Sequence, residues 1–190
     1  MTILDKKDII KDIIGYNGQP EQVACFDKVS LVQFLIDIRD NPLFKDIENK
    51  QDIYNSILLP KRGTANSAGY DIFSLVDFEL KPGETIVVPT GIRCAMKKDW
   101  VLLILPRSGS GFKYRVQLYN TAGVIDADYY GAKNEGHIFV KIINDNYENK
   151  VWTVKKGEAI CQGIFLPYGI TFNDEAKSTR VGGFGSTTNT

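Results

Sequence analysis

Five short segments carry residues able to act on a phosphate ester. Residues 123–131 read Gly-Val-Ile-Asp-Ala-Asp-Tyr-Tyr-Gly. They are an apolar strand pair set between glycines that supply turn freedom, with Asp126 directly after the pair. A carboxylate at the mouth of a buried strand is partly desolvated and aimed, as a general base must be. Taken alone, the same residues describe a hairpin with a solvated acidic tip. Residues 106–111, Pro-Arg-Ser-Gly-Ser-Gly, follow the apolar run 101–105. Arg107 offers a planar fork matched to phosphate oxygens, Ser108 a hydroxyl, and Gly109 a backbone N–H open to an anion. A plain glycine turn with a solvated Arg fits equally well. The Lys and spacing of a P-loop are missing, so ATPase chemistry is not indicated.

Three further segments are weaker singly. Residues 68–71, Ala-Gly-Tyr-Asp, form a glycine turn into a strand that carries Asp71. Residues 157–162 end on Gln162, uncharged and able both to donate and to accept. Residues 180–188 set Phe184 among glycines and hydroxyls beside Arg180. Such a segment has little to pack into a core, but it can order over a ligand. Phe184 would stack on a planar base, Arg180 would meet phosphate, and Gly185 and Ser186 would complete the anion shell. Together the five describe nucleotide phosphate chemistry with water as nucleophile.

Positioning these groups takes a rigid frame, and the sequence predicts a β one. From residue 53 onward, short extended runs alternate with Gly and Pro turns: 53–59, 70–73, 78–80, 85–88, 92–96, 100–105, 114–119, 137–143, 151–154 and 159–166. That spacing predicts an all-β sandwich or barrel. Residues 1–46 differ. Helical spacing at 5–14 and at 29–38, with Leu31, Phe34, Leu35 and Ile38 on one face, predicts a small helical extension. Its apolar stripe must pack on the barrel, a second copy or another protein. The division is thus 1–46 helical extension, 47–172 barrel and 173–190 a polar, Gly-rich arm.

Composition sets outer limits. The 190 residues suit one core, and 23 basic against 23 acidic side chains argue against a broad nucleic-acid face. Three scattered cysteines and a single histidine, His137, argue against a disulfide frame, a zinc site and a Ser-His-Asp mechanism. No apolar run reaches the roughly 20 residues of a membrane span. A soluble intracellular protein is expected, cytoplasmic by default, with the nucleus or a host cell also compatible.

In order and in register, residues 68–71, 106–109, 123–131, 157–162 and 180–187 resemble the five motifs of the trimeric dUTPases (dUTP diphosphatases), across about residues 50–190. The resemblance implies a jelly-roll, distorted β-barrel of the β-clip type. It implies hydrolysis of dUTP to dUMP and pyrophosphate, keeping uracil out of DNA and supplying dUMP. Asp126 would activate the water that attacks the α-phosphorus. Tyr129 would lie against the deoxyribose and exclude a 2′-hydroxyl. Asn120 and the backbone through Val124, Ile125 and Asp126 would read uracil. Arg107, Ser108 and Gly109 would bind phosphate. Gln162 would reach it from a second subunit of a homotrimer. Phe184, with Gly185 and Ser186, would close over uracil, and Arg180 would approach the γ-phosphate, from the arm of a third. Mg2+ would ride on triphosphate oxygens and waters, with Asp71 supporting it indirectly.

Departures from the pattern are Val181 where Gly is usual, Arg180 one residue closer to Phe184, Ser110-Gly111 where Leu-Ala is common, and an insertion at 132–136. His137, at its end, is expected at the surface. Two rivals stand beside the main reading. One is a dCTP deaminase or bifunctional deaminase-dUTPase of the same fold. The other is a regulatory protein of that fold gripping a protein partner through residues 1–46.

Overall fold

A computed structural model describes residues 20–178, 180 and 182. The helical spacing at 5–14 and the residues Phe184, Gly185 and Ser186 lie outside them. Among the described residues, twelve strands form a distorted barrel: β1 Ala24–Lys28, β2 Lys61–Arg62, β3 Tyr70–Phe73, β4 Phe78–Leu80, β5 Thr85–Pro89, β6 Ile92–Met96, β7 Trp100–Leu105, β8 Val116–Leu118, β9 Gly123–Ile125, β10 Phe139–Asn144, β11 Trp152–Val154 and β12 Ala159–Pro167. They pair as β2-β3-β12-β7-β9, β5-β10-β8, β4-β11 and β1-β6.

Alternation drives this. In β10, Val140, Ile142 and Asn144 are buried while the residues between them face outward, the period of two that buries one face of a sheet. Asn144 is tolerated inside because its amide donates to Leu80 O at 2.7 Å and Lys150 O at 2.9 Å. In β12 the alternation breaks: Ile160 and Cys161 are both buried, and the register against β3 shifts there. This bulge re-aims the strand, so that Gln162 faces Asp71 on one side and Leu105 on the other.

Before residue 47 the chain is not helix alone. β1 pairs antiparallel with β6, Phe26 opposite Cys94, and so joins the barrel. Helix α1, Leu31–Ile38, follows; Ser30 caps it by accepting from Gln33 N at 3.1 Å. Of the expected apolar stripe, Phe34 and Ile38 are fully buried in the common core with Ile72, Leu102 and Ile142. Each such side chain contributes about 1.5–3 kcal/mol. Leu35 stays partly exposed, and Val32 and Ile36 face solvent. The stripe therefore packs on the chain's own barrel, and packing crosses the boundary at 46/47.

The run 53–59, expected to be extended, begins in helix α2, Lys50–Asn55. Asn49 caps it by accepting from Asp52 N at 3.3 Å, and Ile53 and Ile57, four residues apart, enter the core together. The glycine-rich segment after β7 also differs from expectation. It coils into a seven-residue helix α3, Ser108–Tyr114, ending on Arg115 in the left-handed conformation (φ 51°). The run 114–119 accordingly shortens to β8.

The fold decides which thiols can react. Burial pushes the Cys94 thiol up to about 12 and raises Cys161 further, while Cys25 is exposed. One cysteine, Cys25, should react with a thiol reagent in the native protein at pH 8, and all three after denaturation. Native labelling of Cys161 would contradict the packing of β12.

Candidate active site

The turn from β8 to β9, which carries the chain from the sheet of β10 to that of β7, builds one half of the candidate site. Glycine freedom does not make its turn: Gly123 and Gly131 are absent from the positive-φ positions, and Thr121 (φ 69°) takes the left-handed one. Gly123 serves close packing instead, since a Cβ there would come within 3.2 Å of Ile104 Cβ. β9 lies against β7, Ile125 opposite Leu102. Asp126 emerges at the next position, where it opens a 3-10 helix, Ala127–Gly131. It lines a cleft of about 730 Å³ together with Val101, Leu103, Val124, Asp128 and Arg180. A smaller cavity of about 270 Å³ is lined by Asn120, Gly123, Val124 and Ile125 among others, from the same turn and strand. The carboxylate, expected to be partly desolvated, is half-exposed, at 50%.

Tyr129 is buried by contrast, 5% exposed. Its hydroxyl donates to His137 O at 2.8 Å and accepts from Asn134 Nδ2 at 2.9 Å. Burial, the largest cause, raises its phenol above the ordinary value. His137, expected at the surface, is fully buried. Its Nε2 accepts from Gly91 N at 2.8 Å, which leaves the proton on Nδ1, 2.6 Å from Asp37 Oδ2 on α1. A histidine with both ring nitrogens satisfied and flanked by Phe34 and Phe139 is at home in a core.

Arg180 lies on this half too. Its Nε is 2.8 Å from Asp128 Oδ1, its other nitrogen pairs with Asp126, and its guanidinium sits 5.6 Å from the centre of the Tyr129 ring. The resemblance sets Arg180 on a phosphate held by another subunit. Within the chain, its fork spans the two nearest carboxylates. Asp128, two residues after Asp126, thus holds the other end of that fork.

The second half lies at the far end of β7. Arg107 Nε is 2.8 Å from Asp71 Oδ1, and its NH1 reaches Ala159 O at 3.5 Å. Gln162 Nε2 donates to Pro106 O at 3.0 Å. The side chain of Gln162 lies over Gly69, where a Cβ would come 2.3 Å from its Oε1 and push the amide aside. Ser108 and Gly109 begin α3, and the first-turn N–H groups of a helix have no internal partner. Asp71, Arg107 and Gln162 are therefore brought together as one polar cluster. Asp126 stands level with Val101 and Arg107 two residues beyond Leu105, so at about 3.3 Å per residue the halves are on the order of 20 Å apart along the strand.

Sequence reasoning missed Asp37, Asn134 and the cleft residues Lys98 and Tyr168. A lone histidine just before a strand hinted at burial. Nothing local marks Asp37, 100 positions away from its partner. Among the described residues no group of three or more His, Cys, Asp or Glu side chains could hold a metal, and no helix is long and apolar enough to cross a membrane.

The insertion 132–136 is tied to α1 at Ser30 as well. Glu135 accepts from Ser30 N and Ser30 Oγ, both at 2.7 Å. The backbone bond, then the hydroxyl bond, holds its carboxyl below the usual range. A lowered folded pKa contributes stability that is fully present above the unfolded value of about 4.3 and is lost as pH falls through the lower, folded value. Wild type should therefore melt above Glu135→Gln at pH 7, and the gap should narrow as pH falls below about 4.3.

The fold is a jelly-roll β-barrel whose polar groups gather at strand ends. Residues 55–188 match the dUTPase family. The deoxyuridine 5'-triphosphate nucleotidohydrolase of Lactococcus lactis subsp. lactis is 42% identical over 134 residues, covering 69% of this chain and 88% of its own. That of Dictyoglomus turgidum is 38% identical over 138 residues, 68% and 89%. The crystal structure of a dUTPase from Streptococcus mutans aligns with a TM-score of 0.54 at 39% identity, covering 60% of this chain and 88% of that one. The chain belongs to the dUTPase family.

Proposed function

We propose that this protein hydrolyses dUTP to dUMP and pyrophosphate. The observation that carries the reading is the delivery of Asp126 by β9 to the rim of a cleft, in a chain of this family. Asp126 takes a proton from water, the oxygen attacks the α-phosphorus, and the bond to the bridging oxygen breaks so that pyrophosphate leaves. Uracil is read by Asn120 and the hairpin backbone through Val124, Ile125 and Asp126, and the sugar by the Tyr129 ring. Arg107, Ser108, Gly109 and Gln162 stabilise phosphate charge, which is most of what such a transfer asks of a protein. Phe184, Gly185 and Ser186 close over the base, with Arg180 on the γ-phosphate.

The separation of the halves supports assembly as a homotrimer. One chain supplies Asp126 and Tyr129, and a second supplies the Asp71-Arg107-Gln162 cluster. Mg2+ enters as part of the substrate, bound to triphosphate oxygens. Asp71, ion-paired with Arg107, supports that site indirectly, through water. The relatives named for dUTP hydrolysis do not favour the deaminase rival. We place the activity in the cytoplasm, with the nucleotide pool it would act on.

Pyrophosphate release from dUTP, UTP, dTTP and dCTP tests the proposal. Turnover of dUTP alone is expected. Ammonia from dCTP would mean a deaminase, and equal turnover of UTP would remove Tyr129 from its role.

A further inference from the structure

We propose that Asp37, on the N-terminal helix, is a positioning residue for Tyr129, acting through His137, so that the segment before the barrel sets how strictly a 2′-hydroxyl is excluded. The inference rests on the reading of Tyr129 as the residue that lies against the sugar. Excluding one oxygen atom requires the ring to stand still. A buried phenol is fixed by its ring packing and by its hydroxyl, and this hydroxyl is spoken for twice, by His137 O at 2.8 Å and Asn134 Nδ2 at 2.9 Å. Asn134 also reaches His137 O, at 3.3 Å, so the three groups form a closed triangle.

The position of the His137 carbonyl is decided in turn by its ring. Gly91 N on one side and Asp37 Oδ2 on the other hold the imidazole at 2.8 and 2.6 Å, with no exposure. Asp37 is the member of this set that comes from outside the barrel. The loop between Tyr129 and His137 has no slack to absorb a shift. Gly136 sits at φ 71°, and a Cβ there would lie 2.7 Å from Tyr129 O, so the insertion doubles back directly onto the residue it serves. α1 therefore grips the insertion at Ser30–Glu135 and Asp37–His137, and the insertion grips Tyr129 by its hydroxyl and its backbone.

The test is the ratio of kcat/KM for UTP over dUTP. Asp37→Ala should raise that ratio about tenfold, within the coupling found between residues in one hydrogen-bonded network. Asp37→Asn keeps an acceptor for Nδ1–H and should restore the wild-type ratio. Tyr129→Phe removes the hydroxyl, so adding Asp37→Ala to it should raise the ratio no further. Should Asp37→Ala not fold, Glu135→Ala removes the acceptor of the other grip and should raise the same ratio about threefold. A lowered melting temperature with an unchanged ratio in the Asp37→Ala or Glu135→Ala proteins would overturn the proposal and leave Asp37 purely structural. Tyr129→Leu separates the two failures. If it admits UTP while Asp37→Ala does not, the positioning role fails alone. If it leaves the ratio unchanged, the sugar-contact reading fails first.

Discussion

Replacing Asp126 with Asn should lower kcat for dUTP by about 10²–10⁴-fold, the contribution of a positioned general base. Melting temperature should hardly change. Asn is isosteric, the side chain is half-exposed, and the ion pair it loses with Arg180 is near the surface, where such pairs contribute about 0–1 kcal/mol. Asp128→Asn is the control, because Arg180 spans both carboxylates. If the loss at 126 came only from freeing Arg180, the change at 128 would match it. We expect Asp128→Asn to keep most of its activity, since that carboxylate follows the strand end by two further positions and shares the Arg180 fork rather than opening the 3-10 helix. Pyrophosphate release and thermal melts on the three proteins decide the matter, and an unaffected Asp126→Asn would remove the base from the mechanism.

Two inactive variants should restore activity to each other. Arg107→Ala and Asp126→Asn each disable one half of the site, and the halves lie on the order of 20 Å apart in one chain. If a complete site takes its halves from different chains, co-assembled variants regain intact sites. Random mixing of equal amounts makes about a quarter of the sites wild type, since each half is intact with probability of about one half. The measurement is dUTP turnover after joint unfolding and refolding, with each variant refolded alone as the blank. Activity no greater than the sum of the blanks would mean that both halves act within one chain. A trimer by light scattering with no recovered activity would point the same way.

Much of this protein was legible locally. The strand runs at 70–73, 78–80, 92–96 and 100–105 coincide with β3, β4, β6 and β7, because alternation and Gly-Pro punctuation are short-range properties. The candidates Asp126, Arg107 and Gln162 were picked out for the same reason: residue type and spacing sufficed to suggest phosphate and a base. Local reading failed where tertiary packing outweighed it. Residues 53–59 are apolar enough for a strand, but the Asn49 cap and the burial of Ile53 with Ile57 favour a helical start. Gly109 and Gly111 suggested an open cradle and instead lie in α3.

By itself, then, the sequence determined the β frame and the family the chain resembles, both of which follow from neighbours in the chain. The tertiary structure decided relations between residues that no spacing records. It put the base and the Arg107 cluster at opposite ends of β7, because each leaves the barrel where its own strand ends. It folded Arg180 onto Asp126 and Asp128, the nearest opposite charges. It took His137 from an expected surface position to full burial between Gly91 and Asp37, because only pairing at both ring nitrogens makes an imidazole acceptable in a core.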